Sequence, residues 1–246
     1  MRPTPSGGPR IAFFGGSFDP PHLGHIAVAR AAREALGLDC VLFAPVGTQP
    51  LKPAGPTAGF EDRVAMTRLA IEGEAGFALS LVDAPRPDGV PNYTLNTLER
   101  LREELPAGSA LFCLMGADSL AGLRKWHRGE EIPFSAPLIV ASRPGQALDN
   151  LKGMLPDGLS LEAEDDGEGS APRSGVEVRC YRIEDLAGRR ARFYLLPGLD
   201  VEISASEIRE AIREGACGGA GSAERGLLTP AVEAYVRAHR LYCEGS

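Results

Sequence analysis

Short apolar runs bounded by glycine or proline alternate along this chain with longer stretches whose apolar residues recur every three or four positions. The first pair sets the pattern. RIAFFGG (Arg10–Gly16) is a β-favouring run stopped by two glycines, and HLGHIAVARAAREAL holds its apolar residues on one helical face until Gly37 ends it. CVLFAPVG at 40–47 predicts a second strand, followed by a proline-rich loop and a helix near 60–71 that turns Val64, Leu69 and Ile71 to the core. FALSLVD at 77–83, the helix-like TLNTLERLREEL at 94–105, ALFCLMG (Ala110–Gly116) and PLIVASRPG at 137–145 continue the alternation. RFYLLPG at 192–198 returns to strand character. Two helices are expected at 204–214 and 230–240, separated by the glycine-rich CGGAGSAERG.

Strands separated by helices of roughly 10–15 residues imply βαβ units and a parallel sheet covered on both faces, with ligands at the carboxyl ends of the strands. The expected fold is therefore α/β, a doubly wound parallel sheet with C-terminal helices. A single domain is expected over 1–246, with 1–9 as a flexible leader and 204–246 as the C-terminal helical part. Residues 146–192 break the rhythm. Their GLSLEAEDDGEGSAPRSG is acidic and poor in apolar side chains, which reads as a solvated, partly flexible insertion.

Composition narrows the partners. With 43% hydrophobic and 24% charged residues in 246, the chain can bury a sizeable core, so wholesale disorder is excluded. A formal charge of -7 argues against an undirected nucleic-acid or membrane-surface binder. The five cysteines, odd in number and without C-x-x-C, indicate neither a disulfide framework nor a zinc knuckle, and fit a reducing cytoplasm. No apolar run reaches the roughly 20 residues of a membrane span, and the start lacks the apolar core of a signal peptide. Whether the protein is a monomer or a homo-oligomer is left open.

The densest chemistry is GGSFDPPHLGH at 15–25, where a strand ends, two glycines turn the chain, and His22 and His25 sit three apart at a helix start. Glycines let backbone approach a phosphate, and the first turn of a helix offers free N–H groups with a positive dipole. Two histidines at i, i+3 can donate to the same phosphate oxygens, with Gly24 leaving room between them. This is an anion cradle. The sequence does not supply G-x-G-x-x-G after its first strand, which disfavours a dehydrogenase.

The motif resembles the nucleotidyltransferase superfamily marked by H-x-G-H or T-x-G-H, and within it the nicotinate mononucleotide adenylyltransferase branch, whose G-G-x-F-D-P-x-H-x-G-H is met at every specified position. Further segments follow in that family's order: APVGTQPLKP at 44–53, NYTLNTL at 92–98, GADSL at 116–120 with Trp126, ASRPG at 141–145, and ISASEIRE at 203–210, which is similar to the family's I-S-S-T-x-I-R with Ala205 and Ser206 as replacements. The resemblance implies a Rossmann-like nucleotidyltransferase fold. It implies ATP contacts from Gly15, Gly16, Ser17, Phe18, His22, His25, Lys52, Gly116, Asp118, Ser119, Arg143, Ile203, Ser204, Ser206 and Arg209. It implies contacts to nicotinate mononucleotide from Ser17, Lys52, Tyr93, Thr94, Asp118 and Trp126. Trp126 would face the pyridine ring and the Tyr93 and Thr94 backbone its carboxylate. In the loop after the second strand, Val46, Gly47 and Leu51 leave Lys52 as the single cation.

The implied reaction is attack of the mononucleotide phosphate on the α-phosphorus of ATP, with His22, His25 and Arg209 as the catalytic donors and Mg²⁺ carried in by ATP rather than by a protein metal site. Alternatives carried with it are an adenylyl- or cytidylyltransferase acting on nicotinamide mononucleotide, phosphopantetheine or a polyol phosphate, and a regulatory nucleotide-binding protein without turnover.

Overall fold

The computed structural model describes residues 8–49, 51, 55–142, 151–164, 175–199, 203–216 and 226–243. In chain order these form β1 (Arg10–Gly16), α1 (Leu23–Leu36), β2 (Cys40–Pro45), α2 (Phe60–Ala70), β3 (Phe77–Leu79), α3 (Thr94–Glu104), β4 (Ala110–Gly116), α4 (Ala117–Gly122), α5 (Ile132–Ser135), β5 (Leu138–Ala141), α6 (Leu151–Met154), β6 (Leu159–Ala163), β7 (Arg179–Asp185), β8 (Arg190–Leu196), α7 (Ala205–Ala216) and α8 (Pro230–Ala238).

The eight strands make one sheet in the order β3-β2-β1-β4-β5-β8-β7-β6. From β3 to β8 neighbouring strands run parallel, while β7 and β6 are antiparallel additions at one edge. The apolar runs of the central strands follow from burial on both faces. In β1, Ala12 and Phe14 join the core beneath α1, α2, α7 and α8, whereas Phe13 joins the opposite core beneath α3, α4, α5 and α6. In β8, Tyr194 and Leu196 face the first core and Phe193 and Leu195 the second. Gly37 closes α1 with φ +60°, its N–H donating to the Arg33 carbonyl, so the turn is left-handed as a glycine permits.

Three sequence expectations change. The 146–192 stretch is not simply a solvated insertion: its described parts contain α6, β6 and β7, and Leu151, Leu155, Leu159 and Ile183 are buried. Its low hydropathy has a local cause. The exposed face of β6 and β7 is an ion-pair ladder in which Arg182 meets Glu162, Glu164 and Glu184, so only one side of each strand is apolar. At the other edge, the strand expected over 77–83 shrinks to Phe77–Leu79. The leader reading does not extend to Pro9, whose carbonyl accepts from Ala110 N at 2.8 Å beside β1.

From β1 the chain winds outward to β2 and β3 on one side, and from β4 to β5 and β8 on the other. The direction reverses between β1 and β4, which are hydrogen-bonded neighbours. Two adjacent strand ends whose connections leave in opposite directions open a crevice at their carboxyl end.

Candidate active site

A cavity of about 860 Å³ occupies that crevice, floored by Phe13 to Gly16 of β1 and Cys113 to Gly116 of β4. Four helices begin at its wall: α1 after His22, α3 after Tyr93, α4 after Gly116 and α7 after Ser204. Their free N–H groups carry partial positive charge, the kind of donor that phosphates and carboxylates take. Every predicted site residue among the described ones lines this cavity. Lys52 and Arg143 lie outside the described residues.

His22 caps α1 rather than lying within its first turn, and its backbone N–H donates to Nδ1 of His25, the third helical residue, at 3.1 Å. With Nδ1 as acceptor, the neutral His25 ring carries its proton on Nε2, leaving that N–H as the group able to donate to a ligand. The two imidazoles are 3.7 Å apart between centroids, and the Phe18 ring meets His25 edge-on at 5.0 Å. Burial, and secondarily the neighbouring His22, hold the His25 imidazole well below the usual histidine range.

That shift sets a stability expectation. Near neutral pH, His25 is uncharged in both folded and unfolded chains and contributes nothing. As pH falls through about 6.5, the unfolded chain takes up a proton that the native site resists, so stability falls between that pH and the lower native value. Urea midpoints should therefore decline more steeply from pH 7.5 to 5.5 in the wild type than in His25→Gln; equal slopes would refute the assignment.

The turn between β1 and α1 is held by Phe18 and Asp19 of the motif itself and by Arg63, which the sequence did not single out. Phe18 adopts φ +48°, uncommon for a bulky side chain, and is buried against Phe14 and Phe43. The Asp19 carboxylate accepts from Thr57 N at 2.7 Å and Ala58 N at 3.0 Å. Arg63, fully buried in α2, donates to the carbonyls of Ser17 at 2.7 Å, Val46 at 2.8 Å and Ala58 at 3.3 Å. Burial pulls its guanidinium below the ordinary arginine value, opposed by Asp19 and Tyr242. Asp19 was visible inside the FDP motif. Arg63 had no signal, since a cation within E-D-R reads as a solvated helix face.

Arg209 reaches from α7 to this turn. Its Nη1 donates to the Asp19 carbonyl at 2.7 Å, with the Asp19 carboxylate 3.8 Å away, and its Nη2 donates to Ser206 Oγ at 3.2 Å. The N-termini of α1 and α7 are thus tied together beside the cavity. At the far end, Tyr93 lies against His127 with centroids 4.4 Å apart and the rings tilted by 36°, and Trp126 and Lys125 line the same cavity. Lys125 and His127 are cavity residues that sequence reasoning missed, although they flank Trp126. Gln49 accepts from Ser17 Oγ at 3.2 Å. Among the described residues no group of three His, Cys, Asp or Glu is placed to hold a metal ion, and no helix is long and apolar enough to cross a membrane.

Helix N-termini gathered at the switch point of a doubly wound sheet are the arrangement of a nucleotide-binding α/β protein. The family model described as cytidylyltransferase-like matches residues 13–211. A protein of Gloeobacter violaceus named "Probable nicotinate-nucleotide adenylyltransferase" is 37% identical over 236 residues, covering 96% of this chain and 97% of that protein. One of the same name from Stenotrophomonas maltophilia is 39% identical over 235 residues, covering 94% and 95%. Among solved structures, Plasmodium falciparum nicotinic acid mononucleotide adenylyltransferase complexed with NaAD has the same fold, with a TM-score of 0.67 at 15% identity over 96% of this chain and 98% of that one. The chain belongs to the cytidylyltransferase-like family, among its nicotinate-nucleotide adenylyltransferases.

Proposed function

We propose that this protein transfers the adenylyl group of ATP to nicotinate mononucleotide, giving nicotinate adenine dinucleotide and pyrophosphate. A phosphate oxygen of the mononucleotide forms a bond to the α-phosphorus while the bond from that phosphorus to the oxygen bridging the β-phosphorus breaks, and pyrophosphate leaves with the electron pair. The nucleophile is already an anion near neutral pH, so the protein needs neither a general base nor a covalent intermediate. Its work is to position two polyanions and to offset the charge that develops between them.

The observation that carries this reading is the His22 and His25 pair at the start of α1, with Arg209 of α7 tied to the same turn. His25 Nε2–H and His22 donate to the α- and β-phosphates, and Arg209 offsets the charge on the departing pyrophosphate. Gly15, Gly16, Ser17 and Phe18 supply close backbone approach, Gly116, Asp118, Ser119, Ile203, Ser204 and Ser206 bracket the nucleotide, and Lys52 and Arg143 add charge from outside the described residues. Mg²⁺ enters as part of the MgATP substrate, held by phosphate oxygens and water as a hard ion prefers. The nicotinate end lies at Tyr93, Thr94 and Trp126, where the start of α3 offers backbone donors to a carboxylate that an amide cannot match. The thiols of Cys40, Cys113, Cys180 and Cys243 suit a reducing cytoplasm.

The deciding experiment is incubation with ATP, Mg²⁺ and either nicotinate or nicotinamide mononucleotide, following pyrophosphate and identifying the dinucleotide by mass. Strong preference for the acid is expected. Equal use of both would mean that the carboxylate site is misassigned, and no turnover with either would overturn the reading in favour of another phosphate acceptor or a protein that only binds ATP.

A further inference from the structure

The chain ends its described part by folding back under the active-site turn. Beyond α8, Arg240 and Tyr242 both adopt left-handed backbone, φ +52° and +66°, a conformation that side chains of this size rarely take. The two residues reverse the chain after Leu241 N donates to the Val236 carbonyl, and bring the Tyr242 ring into the core at 4% exposure. There its hydroxyl donates to Asp19 Oδ1 at 2.9 Å, across 223 positions of sequence. Backbone strain persists only where the surroundings hold it in place, and here it delivers one hydroxyl to one carboxylate.

That carboxylate is the junction of the site. Its Oδ1 also accepts from Ala58 N and its Oδ2 from Thr57 N, and Oδ2 stands 3.8 Å from Arg209 Nη1. Arg209 thus makes only a loose ion pair with the carboxylate, its Nη1 hydrogen bond going to the Asp19 carbonyl instead. Each neutral donor on the carboxylate offsets part of its charge and weakens its pull on the guanidinium. Burial, then Asp19 itself, push the Tyr242 hydroxyl far above the usual tyrosine range, so it remains a donor at every working pH.

We propose that Tyr242 is a positioning residue for phosphate binding, its hydroxyl saturating Asp19 so that Arg209 stays turned toward the cavity and available to the triphosphate. This rests on the assignment of Arg209 to the ATP phosphates. Without the hydroxyl, Asp19 Oδ1 keeps a single donor, and the guanidinium closes the remaining gap to the carboxylate and withdraws from the ligand.

The test is equilibrium binding of MgATP alone, by calorimetry, to the wild type, Tyr242→Phe, Arg209→Ala and the double variant, with thermal scans on each. Phe keeps the ring and its packing. Tyr242→Phe should weaken MgATP about 10-fold, the size expected when one hydrogen bond to a charged group is lost, and should add less than about twofold in the Arg209→Ala background. Unchanged affinity in Tyr242→Phe would overturn the proposal. So would a loss that persists in full without Arg209, which makes Tyr242 independent of the arginine, or a Phe variant that fails to fold, which makes the hydroxyl's role structural. Turnover with nicotinate mononucleotide is measured separately. A wild type that binds MgATP tightly but releases no pyrophosphate refutes the adenylyltransferase reading and leaves the affinities to decide this one, whereas a wild type that binds no MgATP refutes both.

Discussion

Replacing His25 with alanine should lower kcat by about 10²-fold or more, with a much smaller change in the KM for ATP, because a donor aimed at charge that develops in the transition state is worth about that much in rate. The geometry explains why one side chain carries so large a share. His22 N–H holds Nδ1 of His25, so the ring cannot swing away and its Nε2–H is committed to the cavity. Phe18 meets the ring edge-on and His22 lies against it, which fixes its orientation. His25→Asn, which offers an amide donor from a shorter side chain, should recover part of the loss. Steady-state kinetics on the three proteins checks this, and an alanine variant with unchanged kcat would remove His25 from the mechanism.

Arg63→Leu should destabilise the fold by about 3–5 kcal/mol, seen as a lower urea midpoint with little change in its slope. Leucine fills part of the space but leaves the carbonyls of Ser17, Val46 and Ala58 without the donor that now satisfies all three. A buried acceptor stripped of its partner costs more than the bond itself contributed, because water cannot reach it. Lysine should rescue little: a compact ammonium cannot span three carbonyls that a planar guanidinium reaches at once. The same change should slow turnover, since Ser17 belongs to the turn that presents His22 and His25. A loss below about 1 kcal/mol would show that other groups or water satisfy these carbonyls.

Both effects bear on the same turn, but the two residues differ in how visible they were. His25 stands in a motif whose meaning is local: glycines, a helix start and two imidazoles within eleven positions. Arg63 stands in a helix whose apolar spacing pointed Val64, Leu69 and Ile71 inward; Val64 and Ile71 are buried, and Leu69 is half-buried against the core. Nothing in the spacing signals that the arginine just before Val64 is buried as well, because its burial depends on three carbonyls from two connecting loops. Hydropathy ranks arginine as a surface residue and has no way to register partners distant in sequence.

The second sheet edge shows the same limit from the other side. Strands β7 and β6 are antiparallel, apolar on one face and laced with Arg182, Glu162 and Glu184 on the other, so their average composition resembles a loop. Period-two alternation was present in RCYRIED, but it was masked by the acidic glycine-rich run beside it. Central strands buried on both faces announce themselves as unbroken apolar runs, and β1, β4 and β5 were legible for that reason.

By itself the sequence determined the strand and helix alternation, the doubly wound class, and the glycine and histidine motif at 15–25 that opens α1, because each depends on residues within a turn or two of one another. Tertiary structure alone decided that β1 and β4 would be neighbours, and with that the crevice that gathers 15–25, 92–94, 116–126 and 203–209 around one cavity. It also decided that Asp19 would be held from both sides, by Arg209 and by Tyr242, 190 and 223 positions further on. The physical reason is one of range. Propensity and periodicity act over a few residues, whereas a hydrogen bond closed across two hundred exists only after the sheet order has brought its ends together.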